Sequence, residues 1–422
     1  MTKDDLFEHL MSKAGLSQKT YEVFKYYYQL LLNGEKGILG KQEIYPPDVD
    51  DVIRYDLLTD TTLHSLQKLA IIKLNGGLGT SMGLSQAKSL LPVKNKDTFL
   101  DIIAQQVLKT REKLQIKLPL IFMNSFNTSE DTLIYLKKYP TLQTPNIPLD
   151  FIQNKFPKIR MDNFAPLQHQ DDHLNWNPPG HGDLYSALFT TRLLEILLDH
   201  GIDYIFVSNA DNLGATIDPL ILNYMISEQI DFVMEVCYRT ENDKKGGHLA
   251  KHHNGKMVLR EIAQCPDDEL EEFQNISLYQ YFNTNNLWVN LLALKNKLSE
   301  YQGFLPLPLI LNKKKVGDTP IYQLETAMGA AISTFNRSKA VIVPRTRFLP
   351  VKKNQDLLLL WSDSYELSDD YMLRKVPEAK DTILDLDDRY YGTIDQLQKA
   401  CANRVPSLKE CESLTIRGFV KF

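Results

Sequence analysis

The stretch Leu69–Gly83, with the sequence LAIIKLNGGLGTSMG, decides the predicted fold. Its first half is a short apolar run that ends at glycines, a pattern typical of a buried β-strand. Its second half is rich in glycine, and Lys88 follows shortly after it. Glycines directly after a strand let the backbone adopt positive φ and let its N–H groups approach a ligand, so the turn can form a concave anion site. The stretch therefore predicts a phosphate-binding loop, to which Lys88 would bring positive charge.

This loop differs from the two common phosphate-binding fingerprints. Ala87 stands where the G-x-x-x-x-G-K-[ST] motif requires its second glycine, and Gly76–Gly79 does not fit G-x-G-x-x-G. A nicotinamide dinucleotide is therefore a poor candidate ligand. The alternative is a turn that only joins a strand to a helix. Most turns need only one or two positive-φ positions, however, and this one contains four glycines.

Length and composition exclude several classes of protein. At 422 residues the chain exceeds one typical hydrophobic core, so two or three domains are expected. With 43% hydrophobic and 24% charged residues it has the composition of an ordinary soluble protein, and no apolar run approaches the length of a membrane span. The net charge of -5 argues against a general nucleic-acid-binding surface. A polyanionic ligand would therefore need a local positive field.

The N-terminus and the cysteines indicate a cytoplasmic protein. Residues Met1–Asp5 carry both signs of charge and lack the apolar region of a signal peptide. The four cysteines form no C-x-x-C pair and resemble the isolated thiols of a reducing compartment. We therefore expect cytoplasmic localisation.

Helical and extended patterns alternate from the glycine loop to about residue 230. Alternation at this spacing is typical of a doubly wound α/β sheet, in which ligands bind beyond the carboxyl ends of the strands. The sequence predicts helices over 97–115, 182–200 and 218–229, and a further helix that begins at the capping-box-like residues 128–131. It predicts strands over 118–123, 151–153 and 204–208.

Two flanking regions differ from this alternation. Ser17–Asn33 begins with a serine cap and is followed by Gly34, so it predicts a helix ahead of the linker 37–50. From Asp231 onward the pattern changes, and Asn254-Gly255 is a strong signal for a two-residue hairpin. We expect antiparallel strands here, one of them from Tyr281 to Leu294, that extend the sheet and cover the ligand cleft.

Two further polar positions suggest chemistry. Asp211 follows a predicted strand, where a carboxylate can hold Mg²⁺ while the ion also takes a phosphate oxygen; a helix cap or turn is the alternative. His181 lies between two glycines at a predicted helix start, where free N–H groups attract anions, so it is a candidate to contact a sugar or a phosphate. By contrast, His248, His252 and His253 are poorly spaced for zinc, and no G-x-S-x-G element supports a serine hydrolase.

Seven motifs follow one another along the chain: Lys73–Gly83, Met123–Thr128, Pro178–Asp183, Ser208–Gly214, Lys245–Gly247, Phe282–Asn290 and Pro344–Lys352. Together they closely resemble the eukaryotic-type family of UTP–glucose-1-phosphate uridylyltransferases, also called UDP-glucose pyrophosphorylases. The resemblance extends over about residues 15–420. It implies a Rossmann-like nucleotidyltransferase fold with a central mixed β-sheet, an N-terminal helical segment and a short C-terminal region.

The resemblance also implies an activity. This family transfers UMP from UTP to the phosphate of glucose 1-phosphate, giving UDP-glucose and pyrophosphate reversibly, with Mg²⁺ as cofactor. Matching the family's motifs makes Lys88 and Lys352 the catalytic residues and Asp211 the metal ligand, with Gln153 and Gly180 on the uracil. The full nucleotide-binding set would be Leu74, Asn75, Gly76, Gly77, Lys88, Gln153, Gly180 and Lys352, and the sugar-phosphate set His181, Asn209, Glu235, Gly247 and Asn286.

The C-terminus departs from the family pattern. The family ends in a β-helix of several coils that often makes oligomer contacts, whereas the matching region here, Val405–Phe422, stops about where the first coil begins. We therefore expect an N-terminal helical segment over 1–60, a catalytic nucleotidyltransferase domain over 61–350, and a C-terminal region over 351–422 with a truncated β-helix of at most one coil. Because the oligomer-forming coils are missing, we favour a monomer.

Two alternative functions stay open. A UDP-sugar pyrophosphorylase with broader sugar choice would share the same chemistry, because specificity depends on a few pocket contacts. A non-catalytic regulator that binds UDP-sugars belongs to a different class. Such a regulator would be expected to have lost metal- or phosphate-binding residues, yet Lys88, Asp211 and Lys352 are all present.

Overall fold

The computed structural model describes residues 2–422, apart from the side chain of Ser81. Helices and strands alternate along most of the chain, as the sequence predicts. The α-helices of the described chain are α1 Lys3–Lys13, α2 Gln18–Leu32, α3 Phe99–Leu114, α4 Ser129–Leu136, α5 Leu184–Thr190, α6 Leu193–Asp199, α7 Pro219–Ser227, α8 Leu270–Phe273, α9 Leu291–Glu300, α10 Asn354–Trp361, α11 Asp388–Tyr391 and α12 Ile394–Ala400.

The strands vary from two-residue pairs to the ten residues of β15. In chain order they are β1 Ile44–Tyr45, β2 Val52–Arg54, β3 Leu69–Asn75, β4 Pro92–Lys94, β5 Asp97–Thr98, β6 Leu120–Asn124, β7 Asp150–Ile152, β8 Phe156–Pro157, β9 Ile159–Arg160, β10 Trp176–Asn177, β11 Tyr204–Asn209, β12 Phe232–Tyr238, β13 His248–His252, β14 Met257–Arg260, β15 Tyr281–Asn290, β16 Ile310–Val316, β17 Thr319–Glu325, β18 Ser338–Ile342, β19 Tyr365–Leu367, β20 Leu373–Lys375, β21 Ile383–Leu386 and β22 Ser413–Ile416.

The chain divides into two compact units that are not contiguous in sequence. The first contains the residues up to 69, 151–206 and 219–343, and the second contains 70–150, 207–218 and 344–422. The chain passes between them several times, once within β11. The predicted segment boundaries at residues 60 and 350 divide the chain by expected role, and that division stays a prediction.

The first unit is built on a mixed sheet. β18 lies between β2 and β12 and is parallel to both, whereas β15 is antiparallel to β12. The register of β12 on β15 shifts after Glu235, so Glu235 lies opposite Asn286 and Val236 lies opposite Asn283. The predicted hairpin at Asn254-Gly255 joins the antiparallel strands β13 and β14 and is confirmed, but its loop spans residues 253–256 and not two residues. Cross-strand partners share one face of a sheet, so this register brings the Glu235 and Asn286 side chains together.

The N-terminal helices belong to the first unit. The Ser17 hydroxyl accepts a hydrogen bond from the Thr20 amide, which confirms the predicted cap of α2. Phe24 of this helix is fully buried, and its ring centroid lies 4.8 Å from that of Phe7 in α1 and 5.4 Å from that of Phe156 in β8. Aromatic burial of this kind fixes the helix firmly on the unit.

The second unit contains the glycine loop. β3 and β6 are parallel, and their last residues, Asn75 and Asn124, are register partners. Because parallel strands end at the same edge, the loops that follow them emerge side by side. Further along the chain, β21 and β22 form a separate parallel pair, Ile383 being opposite Ser413. The helices α11 and α12 lie between these two strands, so the pair is joined by a helical crossover, as parallel strands usually are.

Three sequence predictions need correction. The predicted helix 182–200 is two helices, α5 and α6, because Arg192 between them has a φ of 60°. Thr128 does not cap α4 through its side chain, since its hydroxyl accepts the Ser125 amide instead. The strand predicted to continue from Tyr281 toward Leu294 ends at Asn290, whose side chain caps α9.

Within residues 2–422, no helix is both long enough and apolar enough to cross a membrane. Cytoplasmic localisation and a monomeric state stay predictions.

Candidate active site

In the second unit, the glycine loop folds back so that Lys88 lies against its start. Gly79 has a φ of 65°, and a Cβ built on it would lie 2.7 Å from Leu84 Cδ1 and 3.3 Å from Lys88 Cβ. The Lys88 amide donates to the Gly77 carbonyl over 3.1 Å. Glycine is therefore required at position 79 both for the backbone conformation and for the space that the stem of Lys88 occupies.

The Lys88 ammonium group joins three segments of the second unit. Its Nζ lies 2.7 Å from Asp211 Oδ2 and also donates to the Val351 carbonyl. The two ionised side chains are 16% and 25% exposed, so solvent screens their attraction less than it would on an open surface. Lys352 is the next residue after Val351. The three charged side chains assigned to phosphate and metal therefore lie in neighbouring segments of one unit.

The loop that carries Asp211 is fixed to the segment that carries Lys352. Asn212 is 1% exposed, and its Nδ2 donates to the Arg347 carbonyl over 3.2 Å while its Oδ1 accepts the Leu349 amide over 2.8 Å. The Val351 amide donates to the Asp211 carbonyl over 3.2 Å. These bonds satisfy both polar ends of a buried amide side chain, which makes the arrangement rigid.

Lys73 anchors the same loop to strand β3. Its buried Nζ donates to Ser208 Oγ over 2.8 Å and to the Ala215 carbonyl over 2.7 Å. A buried ammonium group must be hydrogen-bonded, so this lysine holds both ends of the loop between Ser208 and Ala215. Lys73 faces the interior and therefore has a structural role. The lysines assigned to phosphate are Lys88 and Lys352.

The donor set around Asp211 fits Mg²⁺ better than a transition metal. Among residues 2–422, no group of three or more His, Cys, Asp or Glu side chains is placed to hold a metal ion. Mg²⁺ keeps several waters and is commonly held by one or two carboxylates together with the phosphates of a substrate. The partly exposed Asp211 carboxylate beside the glycine loop is compatible with that mode of binding.

The end of β3 presents backbone rather than side chains to the loop. The amide of the buried Asn75 side chain donates to Asn124 Oδ1 and to Thr132 Oγ1, each over 2.8 Å. The Leu74 carbonyl accepts the Ala210 amide over 3.0 Å, and the Gly76 carbonyl accepts Ser125 Oγ over 3.0 Å. Asn75 thus ties the two parallel strand ends together, and the groups left for a ligand are those of the glycines after it.

In the first unit, Gly180 and His181 pack against the chain that follows β17. Gly180 has a φ of 76°, and a Cβ there would lie 2.4 Å from the Thr326 carbonyl oxygen. The Thr326 amide donates to Pro179 and its carbonyl accepts the Gly182 amide, each over 2.9 Å. Glycine is therefore required at position 180 both for the backbone conformation and for this close backbone approach.

His181 is held as a neutral imidazole. The Met328 amide donates to its Nδ1 over 2.9 Å, so Nδ1 acts as an acceptor and the proton of the neutral ring lies on Nε2. Burial lowers the pKa of His181 to about 4. At neutral pH the side chain therefore offers a ligand one uncharged N–H donor.

Asn154 connects Gln153 to the same helix start. Its backbone amide donates to Asp183 Oδ2 over 2.6 Å, and its Nδ2 donates to Asp183 Oδ1 over 2.8 Å. Burial raises the pKa of Asp183 to about 7, although both bonds from Asn154 stabilise the carboxylate form. Gln153 and Gly180, the two residues assigned to uracil, are thus joined through their near neighbours.

Glu235 and Asn286 form a buried polar pair on β12 and β15. Both are fully buried, and Asn286 Nδ2 donates to Glu235 Oε2 over 3.0 Å while Trp288 Nε1 donates to Oε1 over 2.9 Å. Gly247 precedes β13, and a Cβ on it would lie 2.7 Å from the Glu261 carboxylate oxygens. The backbone at Gly247 is therefore in close contact with a second carboxylate.

The structure places every predicted site residue in one of the two units. It brings Gly77, Lys88 and Asp211 together, and it pairs Glu235 with Asn286. The second unit holds Leu74, Asn75, Gly76, Gly77, Lys88, Asn209, Asp211 and Lys352, and the first holds Gln153, Gly180, His181, Glu235, Gly247 and Asn286.

Several supporting residues were not predicted. Thr326 and Met328 contact the Gly180–His181 turn through backbone atoms, which leave no side-chain signal in a sequence. Asn154 and Asp183 have polar side chains that are visible in the sequence, and Asp183 is an acidic residue at a helix start. Their pairing brings together positions that are 29 residues apart, and no local pattern indicates it.

Comparison with known proteins identifies the family of the chain. The family model described as UTP–glucose-1-phosphate uridylyltransferase matches residues 21–422. The enzyme of that name from Hordeum vulgare is 40% identical over 402 residues, covering 93% of this chain and 83% of the relative. The one from Solanum tuberosum is 39% identical over 424 residues, covering 97% and 87%.

Solved structures agree equally well. A variant of the Leishmania major UDP-glucose pyrophosphorylase in complex with UDP-glucose matches with a TM-score of 0.93 and 41% identity, covering 99% of this chain and 91% of that one. The Trypanosoma brucei protein matches with a TM-score of 0.91 and 44% identity at the same coverage. These matches confirm the predicted nucleotidyltransferase fold. The chain belongs to the family of UTP–glucose-1-phosphate uridylyltransferases.

Proposed function

We propose that the protein transfers UMP from UTP to the phosphate of glucose 1-phosphate, releasing pyrophosphate, and that it also catalyses the reverse reaction. Beyond family membership, the observation that carries this proposal is the Lys88 ammonium group, 2.7 Å from Asp211 and packed against the glycine loop. A glycine-rich loop, whose N–H groups can approach a ligand closely, with a fixed cation beside it suits a triphosphate.

The reaction needs no general base. Its nucleophile is a phosphate oxygen of the sugar phosphate, which is already ionised at neutral pH. The barrier comes from bringing two anions together in line and from the charge that develops at the α-phosphate. Positioned cations and N–H donors lower such a barrier, as they do in phosphoryl transfer generally.

Each site residue assigned to the second unit has a role in this proposal. The backbone of Gly76 and Gly77 lines the nucleotide, next to Leu74 and Asn75 at the end of β3, while Lys88 and Lys352 stabilise phosphate charge and Asn209 meets the sugar phosphate. Mg²⁺ held by Asp211 would neutralise further phosphate charge.

Apart from His181, the assigned residues of the first unit would recognise the uncharged parts of the substrates. We assign Gln153 and Gly180 to the uracil, because a side-chain amide and a close backbone can read its hydrogen-bonding edge. Glu235, Gly247 and Asn286 would surround the glucose hydroxyls. His181 would donate its Nε2 proton to an oxygen of the sugar phosphate.

The experiment that tests the proposal is pyrophosphate release by the purified chain with UTP and Mg²⁺. We expect fast release with glucose 1-phosphate, slow release with galactose 1-phosphate or N-acetylglucosamine 1-phosphate, and none after chelation of the metal by EDTA. Comparable rates with several sugars would favour the broad-specificity enzyme. Binding of UDP-glucose without any release would favour the non-catalytic regulator.

Replacing either phosphate-binding lysine should abolish most turnover. We expect Lys88→Ala and Lys352→Ala each to lower kcat by about two to four orders of magnitude, the scale of losing a main charge stabiliser. Lys353→Ala is the matched control, because this neighbouring lysine is exposed and pairs with Asp388 at 3.8 Å. Its kcat should stay within about threefold of the wild-type value. Wild-type turnover in Lys88→Ala or Lys352→Ala would refute that lysine's role.

Removing the Asp211 charge should weaken the binding of Mg²⁺, while the reaction should still require the metal. In Asp211→Asn we expect the Mg²⁺ concentration for half-maximal rate to rise at least about tenfold, because a hard cation binds a carboxylate more tightly than an amide. Electron paramagnetic resonance of Mn²⁺ titrated into the UTP complex measures the same change without turnover. Asp203→Asn, which removes a surface partner of Lys68, should leave both measurements unchanged. An unaltered Mn²⁺ affinity in Asp211→Asn would remove this residue from the metal site.

His181 should stay neutral across the working pH range. Its pKa in the folded chain is lowered to about 4, so its contribution to stability is complete above the unfolded value of 6.5 and is lost as the pH falls from there toward 4. We expect its ring signal in histidine-labelled NMR spectra, assigned with His181→Gln, not to shift between about pH 5.5 and 8. His181→Gln should lower kcat and leave the shape of its pH dependence unchanged. A titration of this signal near pH 6.5 would contradict the neutral-donor role.

A further inference from the structure

We infer that Asn154 and Thr20 are positioning residues for uracil recognition, through a hydrogen-bonded chain from the first turn of α2 to the residues beside Gln153 and Gly180. This inference rests on the proposed function and names residues for which neither the motifs nor the substrate contacts account. All of its members lie in the first unit.

The hydrogen-bonded chain ends at Asp183, whose side chain is almost completely buried at 4% exposure. Both of its oxygens accept hydrogen bonds from one residue, Asn154: Oδ2 from the backbone amide and Oδ1 from the side-chain Nδ2. A buried carboxylate needs such donors, since leaving it without them costs several kcal/mol. Asp183 and Asn154 are therefore fixed relative to each other at two points.

Thr20 determines which way the Asn154 amide faces. Its hydroxyl donates to Asn154 Oδ1 over 2.9 Å, so the carbonyl side of the amide points to α2 and the NH₂ side points to Asp183. Ser17 Oγ lies 2.9 Å from Thr20 Oγ1. Because the Thr20 proton is directed to Asn154, the Ser17 hydroxyl is the donor to Thr20.

The hydrogen-bonded chain fixes the positions of the two residues assigned to uracil, because its members are joined to them through the backbone. Gln153 directly precedes Asn154, whose own N–H is one of the bonds to Asp183, and Asp183 directly follows the Gly180–Gly182 turn. The turn is fixed from its other side by Thr326. A rotation of the Asn154 amide would therefore move Gln153 relative to Gly180, while the phosphate-binding residues of the second unit take no part in the chain.

The consequence is a selective defect. Losing the Thr20 hydroxyl leaves Asn154 Oδ1 without this donor in a largely buried place, and Thr20 itself is 2% exposed. The uracil contacts should then be less well aligned, which weakens UTP binding. A purely structural role would lower the fraction of active enzyme, which changes the apparent kcat and leaves both KM values unchanged.

The experiment compares three variants of α2 in the full chain, with KM measured separately for UTP and for glucose 1-phosphate. Thr20→Val removes the hydroxyl at nearly constant volume, and Thr20→Ser keeps it. Tyr21→Phe is the matched control, because the adjacent buried Tyr21 hydroxyl bonds to Asp4 at 2.9 Å and not to Asn154. Thr20→Ala serves as a second test variant if Thr20→Val does not fold.

We expect Thr20→Val to raise KM for UTP about three- to tenfold, with KM for glucose 1-phosphate within about twofold of wild type. Thr20→Ser should restore the wild-type KM for UTP, and Tyr21→Phe should not change it. An unchanged KM for UTP in Thr20→Val, an equal rise for both substrates, or the same rise in Tyr21→Phe would overturn the inference. A wild-type chain that releases no pyrophosphate from UTP would instead contradict the proposed function.

Discussion

The ion pair between Lys88 and Asp211 is the interaction on which the second unit depends. A site for a triphosphate must hold positive charge in a fixed place, and an unrestrained lysine would spread that charge over many rotamers. Here the ammonium group is fixed by the Asp211 carboxylate and the Val351 carbonyl, while its stem packs on Gly79. The loop held by Lys73 and the segment held by Asn212 keep those partners in place.

In the proposed function, the first unit solves a different problem, which is the recognition of uncharged groups. Uracil and glucose carry no charge, so they must be recognised by donors and acceptors held in fixed directions. His181 is kept uncharged by burial and by the Met328 amide, and Glu235 is oriented by Asn286 and Trp288. In each case a backbone amide or a neighbouring side chain determines which atom is available to bind a ligand. Because these groups are buried, losing one of the hydrogen bonds that orient them costs more than it would in water.

Local sequence signals were sufficient to predict several individual elements, including the glycine loop. The glycines of Leu69–Gly83 indicated the strand and its loop, and the Ser17 cap and Asn254-Gly255 indicated a helix and a hairpin that the structure contains. Signals of this kind act over a few residues. The break at Arg192 was missed because a continuous apolar pattern hides one left-handed residue. Contacts such as Thr20 with Asn154 were missed because they join positions 134 residues apart.

In the proposed reaction, long-range contacts of this kind matter because the chemistry has no proton to remove. Where a reaction depends on a base, one side chain dominates. Where it depends on alignment and charge, the rate depends on how firmly every contributing atom is held. Asn212 bonds to the chain on both sides of Phe348 and so fixes the distance between the loop of Asp211 and the segment of Lys352. It touches no reacting atom in the proposed mechanism. Residues of this type are hard to identify from a motif, because their importance lies in the two segments they join.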